Sequence, residues 1–102
     1  MFVRIMPSWD GGDVPLDPDG FVHLSWAAQV EDTVARHYPA APSLVFLVVR
    51  ETALPPGALR IESTDHGSYP HLYAPLPAAA VLRSIPWRQG GPMPRWDVPT
   101  TG

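Results

Sequence analysis

The chain has 102 residues, 45% hydrophobic and 17% charged, with a formal net charge of −3, fourteen prolines and no cysteine. That length allows one modest core, the apolar content excludes a disordered chain, and the missing cysteine excludes disulfides, thiolate nucleophiles and cysteine-held metals. A net negative chain lacks the concentrated basic surface that a phosphate backbone demands, and no apolar run reaches the ~18 residues of a membrane span, so neither nucleic acid nor membrane is an expected partner.

Phe2 to Met6 reads as a short strand. Pro7 to Pro18 reads as a loop, broken by Gly11-Gly12 and by three aspartates and three prolines. Gly20 to Leu24 is a predicted strand, after which Ser25 stands as a helix N-cap for Trp26 to Tyr38. Trp26, Val30, Val34, His37 and Tyr38 recur there at helical spacing, and Pro39 stops the helix. Leu44 to Val49 is a continuous branched run and predicts the central buried strand.

Leu54 to Gly57 is a turn, and Ala58 to Ser63 a strand with Leu59 and Ile61 on one face and Arg60 and Glu62 on the other. Asp65 to Ser68 is a tight turn, Tyr69 to Tyr73 a strand, Pro77 to Ala80 a helical turn, and Val81 to Trp87 the last strand. The order predicts an α+β fold, a small mostly antiparallel sheet, split or continuous, with one main helix. Residues 1–88 form the expected single domain, and 89–102 a loose Pro/Gly-rich tail against which Trp96 alone is a docking candidate. The short, quickly broken Met1 to Pro7 does not read as a signal peptide, and with cysteine absent the expected compartment is the cytoplasm.

Chemistry concentrates in two segments, Asp19-Gly20-Phe21-Val22-His23-Leu24-Ser25 and Tyr69-Pro70-His71-Leu72-Tyr73. Each places a histidine in an extended apolar run with a hydroxyl two residues later, so strand alternation puts His23 with Ser25 and His71 with Tyr73. If the segments meet, they line a cleft with two imidazoles. Histidine exchanges protons near neutral pH, and a carboxylate such as Glu62 would fix its tautomer. Ser25 has two readings, nucleophile beside a histidine or helix cap, and capping occupies the oxygen the first needs. His23 also has a bland reading as a core histidine satisfied by backbone groups. Arg60 and Glu62 have one as a solvated strand face. His23, His71 and Glu62 have no local metal-ligand spacing, so no metal is expected; His37 and His66 read as bystanders.

Asp19 to Leu76 resembles a family of small bacterial proteins known as domain of unknown function 952. Its members carry a run like Asp-Gly-Phe-Ile-His-Leu-Ser, a helix with a Gln-Val pair, a hydrophobic strand, a Leu-Pro turn, a strand ending in Glu, and Phe-Pro-His-Leu-Tyr-Gly-Pro-Leu. Here these read Asp19 to Ser25, Gln29-Val30, Leu44 to Val49, Leu54 to Pro56, Leu59 to Glu62, and Tyr69 to Leu76. The resemblance implies a compact relative of the ADP-ribosyltransferase fold, with NAD or a related nucleotide in the cleft. It implies His23 at the ribose, Tyr73 or Tyr69 stacked on a nicotinamide ring, Glu62 stabilising cationic character on the ribose, and Arg60 facing a pyrophosphate. The expected site as a whole has His23, Glu62, His71 and Tyr73 as catalytic groups, and Ser25, Trp26, Gln29, Arg60 and Tyr69 as substrate-binding ones.

Three departures stand out. Pro7 to Pro18 leaves no room for a helix that members carry there, Tyr69 replaces Phe, and Ile61 replaces a common Trp. The lost helix would open one wall of the cleft, which makes a homodimer an expectation. Three functions follow: an enzyme acting on NAD or a nucleotide-like molecule, a silent binding module for a small metabolite, or a cofactor-independent acid–base catalyst such as a cyclase or isomerase.

Overall fold

The computed structural model describes residues 1–96. Its seven strands are β1 (Phe2–Met6), β2 (Val22–His23), β3 (Ser25–Trp26), β4 (Ser43–Val49), β5 (Leu59–Thr64), β6 (Gly67–Leu72) and β7 (Val81–Arg88), with one helix, α1 (Val30–His37). They form two antiparallel sheets, ordered β3-β1-β4-β7 and β2-β6-β5. The fold is α+β, and the sheet is split. No helix among the described residues is long and apolar enough to cross a membrane.

The larger sheet is built around β4, whose apolar run is buried on both faces for a reason its alternation shows. Leu47 and Val49 join Phe2 in a cluster with Val14, Val22, Leu72 and Leu76, against the smaller sheet. Leu44 and Phe46 join Val3 and Ile5 in a second cluster with Val30 and Val34 of α1, and with Trp87. Helix and small sheet thus cover opposite faces of one strand, and such strands read as unbroken apolar runs. A register irregularity between Val48 and Val49 marks where β7 bends past it.

Helix α1 is shorter than its periodicity predicts. Ala27–Gln29 forms a 3-10 turn first, with the Gln29 side-chain oxygen accepting from the Trp26 amide at 3.0 Å. Val30 and Val34 then face the sheet, while Glu31 and Asp32 at the start and Arg36 and His37 at the end complement the helix dipole. The Tyr38 amide closes the helix on the Val34 carbonyl at 2.8 Å.

The expected strand over Gly20 to Leu24 is a crossing instead. Val22 and His23 pair with Leu72 and His71 in the small sheet. Two residues later Ser25 and Trp26 pair with Val3 and Phe2 in the large one. Ser25 is therefore a strand residue, not a helix cap. Extension there lets the Trp26 ring pack edge-on to Phe2, centroids 6.0 Å apart, and tertiary packing overrides the capping preference of the sequence.

Pro7 to Pro18 carries no helix, and the loop packs on the core instead. Val14 bridges Leu76 and is 2% exposed, while Trp9 packs on the same cluster.

Beyond β7 the chain does not leave at once. The Gln89 side chain donates to the Tyr38 and Ala41 carbonyls at 2.9 and 3.1 Å. Trp96 lies against Phe46, centroids 5.4 Å apart. The rest of the expected tail, 97–102, lies outside the described residues.

Candidate functional site

In the small sheet, register decides which side chains meet. His23 sits opposite His71, Arg60 opposite His71, and Glu62 opposite Tyr69. Directly paired residues share a face, so His23, Arg60, Glu62, Tyr69 and His71 lie on one side. Val22, Leu72 and Pro70 point the other way into the core. The two motif segments separated in sequence are neighbours in space.

Beside this face opens a cleft of about 760 Å³, bounded by α1, the loop from Asp17 to Phe21, β1, and the turn between β5 and β6. His23, Ser25, Tyr69 and His71 line it. So do His37 and His66, two residues that read as bystanders in the sequence.

Two networks fix the imidazoles. His71 Nδ1 lies 2.7 Å from Glu62 Oε1, and the same oxygen accepts from the Tyr73 hydroxyl. Tyr73 first, then His71, holds the Glu62 carboxyl below the usual carboxylate range by hydrogen bonding. In return the bond to Glu62 pushes the Tyr73 phenol up. Ionising the phenol would abolish the donor and set two negative charges together.

The second network centres on Asp17. Arg4 donates to both its carboxylate oxygens, at 2.7 and 2.8 Å. His23 adds its amide at 3.0 Å and its Nδ1 at 2.7 Å. Burial acts to raise the Asp17 pKa, but the bonds from Arg4 and His23 outweigh it and hold the carboxyl well below its ordinary value. His23 Nε2 lies 3.0 Å from Asp19. Both ring nitrogens of His23 thus face carboxylates.

Phe21 joins the networks. Its ring stacks on His71 at 4.1 Å and 25°, and it also touches His23 at 4.5 Å and Tyr73 at 5.2 Å. His71 is left 8% exposed under it.

The other expected site residues are placed differently. Ser25 is 3% exposed, and its hydroxyl lies 3.4 Å from that of Thr33. Gln29 is held by the Trp26 amide and by the Ser68 carbonyl at 2.7 Å, and Trp26 packs on Phe2. Neither lines the cleft. Arg60 lies over the Tyr73 ring, 5.5 Å from its centroid, and Arg60, Glu62 and Tyr73 all stand outside the cleft lining. Sequence reasoning also missed Arg4, Asp17, Phe21 and Arg36. Arg4 left a signal: a lone charge inside an apolar strand needs a buried partner. Asp17-Pro18-Asp19-Gly20 left another, because aspartate followed by proline and glycine builds a turn. The Asp17 carbonyl indeed accepts from the Gly20 amide at 2.9 Å.

This α+β fold has known counterparts. Residues 10–84 match the family described as protein of unknown function DUF952, and the chain belongs to it. A similar solved structure is the crystal structure of protein CC0527 from Caulobacter crescentus, 31% identical over 83% of each chain with a TM-score of 0.70. A double mutant of the same protein is 30% identical over the same shares, also at 0.70. No curated protein matches the chain.

Proposed function

We propose that the cleft is an enzyme site in which His71 moves a proton to or from a compact small-molecule substrate. The observation that carries this reading is the 2.7 Å contact between Nδ1 of His71, which lines the cleft, and Glu62, which stands outside its lining. A carboxylate on Nδ1 holds that proton in place, so Nε2 presents its lone pair. Nε2 has no hydrogen-bond partner among the described residues. After proton uptake, Glu62 faces and stabilises the imidazolium. Proton transfer of this kind serves isomerisation, cyclisation or elimination.

His23 has a different part in this reading. With Asp17 beside one nitrogen and Asp19 beside the other, it braces the loop that carries Phe21, and neither nitrogen is left without a carboxylate neighbour. The NAD reading rests on the family resemblance alone, and Arg60, its candidate pyrophosphate partner, stands outside the cleft. One observation favours a silent binding module: Phe21 covers much of the His71 ring.

Solvent exchange separates the readings. The wild type and His71→Asn are incubated in heavy water with a metabolite panel that includes NAD, and deuterium incorporation is followed by NMR. The expected result is site-specific exchange or conversion of one compound, slowed roughly 100-fold or more in His71→Asn, as general acid–base catalysis implies. Exchange that survives the substitution refutes the role of His71. A compound that binds without exchange or conversion establishes the binding module instead.

A further inference from the structure

The two ends of the cleft are furnished differently. Carboxylates Asp17 and Asp19 stand at the loop end, each engaged with His23. At the helix end stand Thr33 and Arg36 of α1, with Ser25 and Tyr69 beneath them. Thr33 and Arg36 are three residues apart and share a helix face.

This second end carries several donors; one further carboxylate, Asp65 of the turn between β5 and β6, also lines the cleft. Arg36 donates to the Tyr69 hydroxyl oxygen and its guanidinium lies 5.8 Å from the Tyr69 ring centroid. With that oxygen accepting, the phenolic proton is free to point elsewhere, and no acceptor for it exists among the described residues. Ser25 and Thr33 hydroxyls lie 3.4 Å apart, at the outer limit of a hydrogen bond. Only one of them can donate to the other, so a second hydroxyl proton also lacks an acceptor. Ser25 is 97% enclosed, given its 3% exposure, and a buried hydroxyl without a good partner is costly.

We infer that this end of the cleft binds a carboxylate, and hence that the ligand is a small organic acid. The inference deepens the proton-transfer reading by naming the class of its substrate. Tyr69, Thr33 or Ser25 supplies neutral donors and Arg36 supplies the charge. The charge count selects carboxylate over phosphate. Arg36 is one cation, with Nε engaged by Asp32 at 2.9 Å and Nη1 3.3 Å from His37 Nε2. Because Asp32 already answers that charge, a carboxylate adds only one uncompensated charge, whereas a phosphate dianion adds two. A carboxylate seated at this end also directs the rest of the molecule along the cleft, where His71 lies.

The test reads occupancy, so it is independent of turnover. Benzoate, its neutral isostere benzamide, and phenyl phosphate are titrated into the wild type, Arg36→Gln and Tyr69→Phe, following backbone amide shifts by NMR. Circular dichroism confirms that each variant is folded. The expected result is saturable benzoate binding with shifts at Thr33, Arg36 and Tyr69, weakened about tenfold or more in Arg36→Gln and severalfold in Tyr69→Phe. Benzamide and phenyl phosphate should bind the wild type more weakly than benzoate. The inference is overturned if benzoate causes no saturable shift, if benzamide binds as well, if phenyl phosphate binds better, or if Arg36→Gln binds benzoate unchanged. Each of those results leaves the solvent-exchange test of His71 standing.

Discussion

Replacing Asp17 with Asn should destabilise the fold far more than a surface substitution does. The carboxylate accepts two bonds from Arg4, at 2.7 and 2.8 Å, and two from His23. Asparagine keeps the shape but loses the charge and one acceptor oxygen. Arg4 keeps the His23 carbonyl at 3.3 Å and the remaining amide oxygen but loses its countercharge, and its Nε is already buried without a hydrogen-bond partner. Breaking one side of a buried ion pair costs about 3–5 kcal/mol, against about 0–1 kcal/mol for an exposed pair. The side chains of Arg4 and Asp17 retain 11% and 20% exposure. The pair therefore belongs near the lower edge of the buried range, at about 3 kcal/mol. For a chain of this length that is a fall in Tm of roughly 12–24 °C.

The pH dependence has a definite sign. The folded Asp17 pKa is lowered, so its contribution is complete above the unfolded value of about 3.9 and fades as pH falls towards the folded one. Urea unfolding of wild type and Asp17→Asn at neutral pH, and again well below pH ~4, checks both points. The gap should be full at neutral pH and smaller in acid. A double-mutant cycle with Arg4→Met should show the two losses to be less than additive by at least about 1 kcal/mol. A neutral-pH gap under about 1 kcal/mol, the value for an exposed pair, refutes the reasoning. A gap that widens in acid refutes it equally.

Leu72→Ala should cost about 3 kcal/mol in a urea titration, since Leu72 is fully enclosed between the sheets, whereas Ile61→Ala, at a side chain 52% exposed, should change stability by less than about 0.5 kcal/mol. Glu62→Gln should bring the titration of one tyrosine down towards the ordinary value of about 10, followed by ultraviolet absorbance. No change in the tyrosine titration would place the Tyr73 hydroxyl away from Glu62. Gly20→Ala should lose about 1 kcal/mol by thermal unfolding, because Gly20 sits at φ +99°, where a side chain is strained although the space beside it is open.

Local pattern determined much of this protein. The branched run of β4 announced a doubly covered strand, Val30 and Val34 a helix face, and the histidine segments the strands that meet beside the cleft. His71 and Tyr73 could be placed together, because strand alternation requires no knowledge of the rest of the chain. Ser25 could not be placed, because its sequence neighbourhood favours a cap while its conformation is set by pairing with Val3, some twenty residues earlier, in a sheet that β4 helps to form. Tertiary structure alone decided that Arg4 and Arg36 reach the cleft from a strand and a helix far apart in the chain, that Asp17 joins Arg4 to His23, and that Phe21 covers His71. Those contacts depend on how the two sheets and the helix pack. Periodicity tells which face of an element is buried, but not which charged group another element brings to its edge.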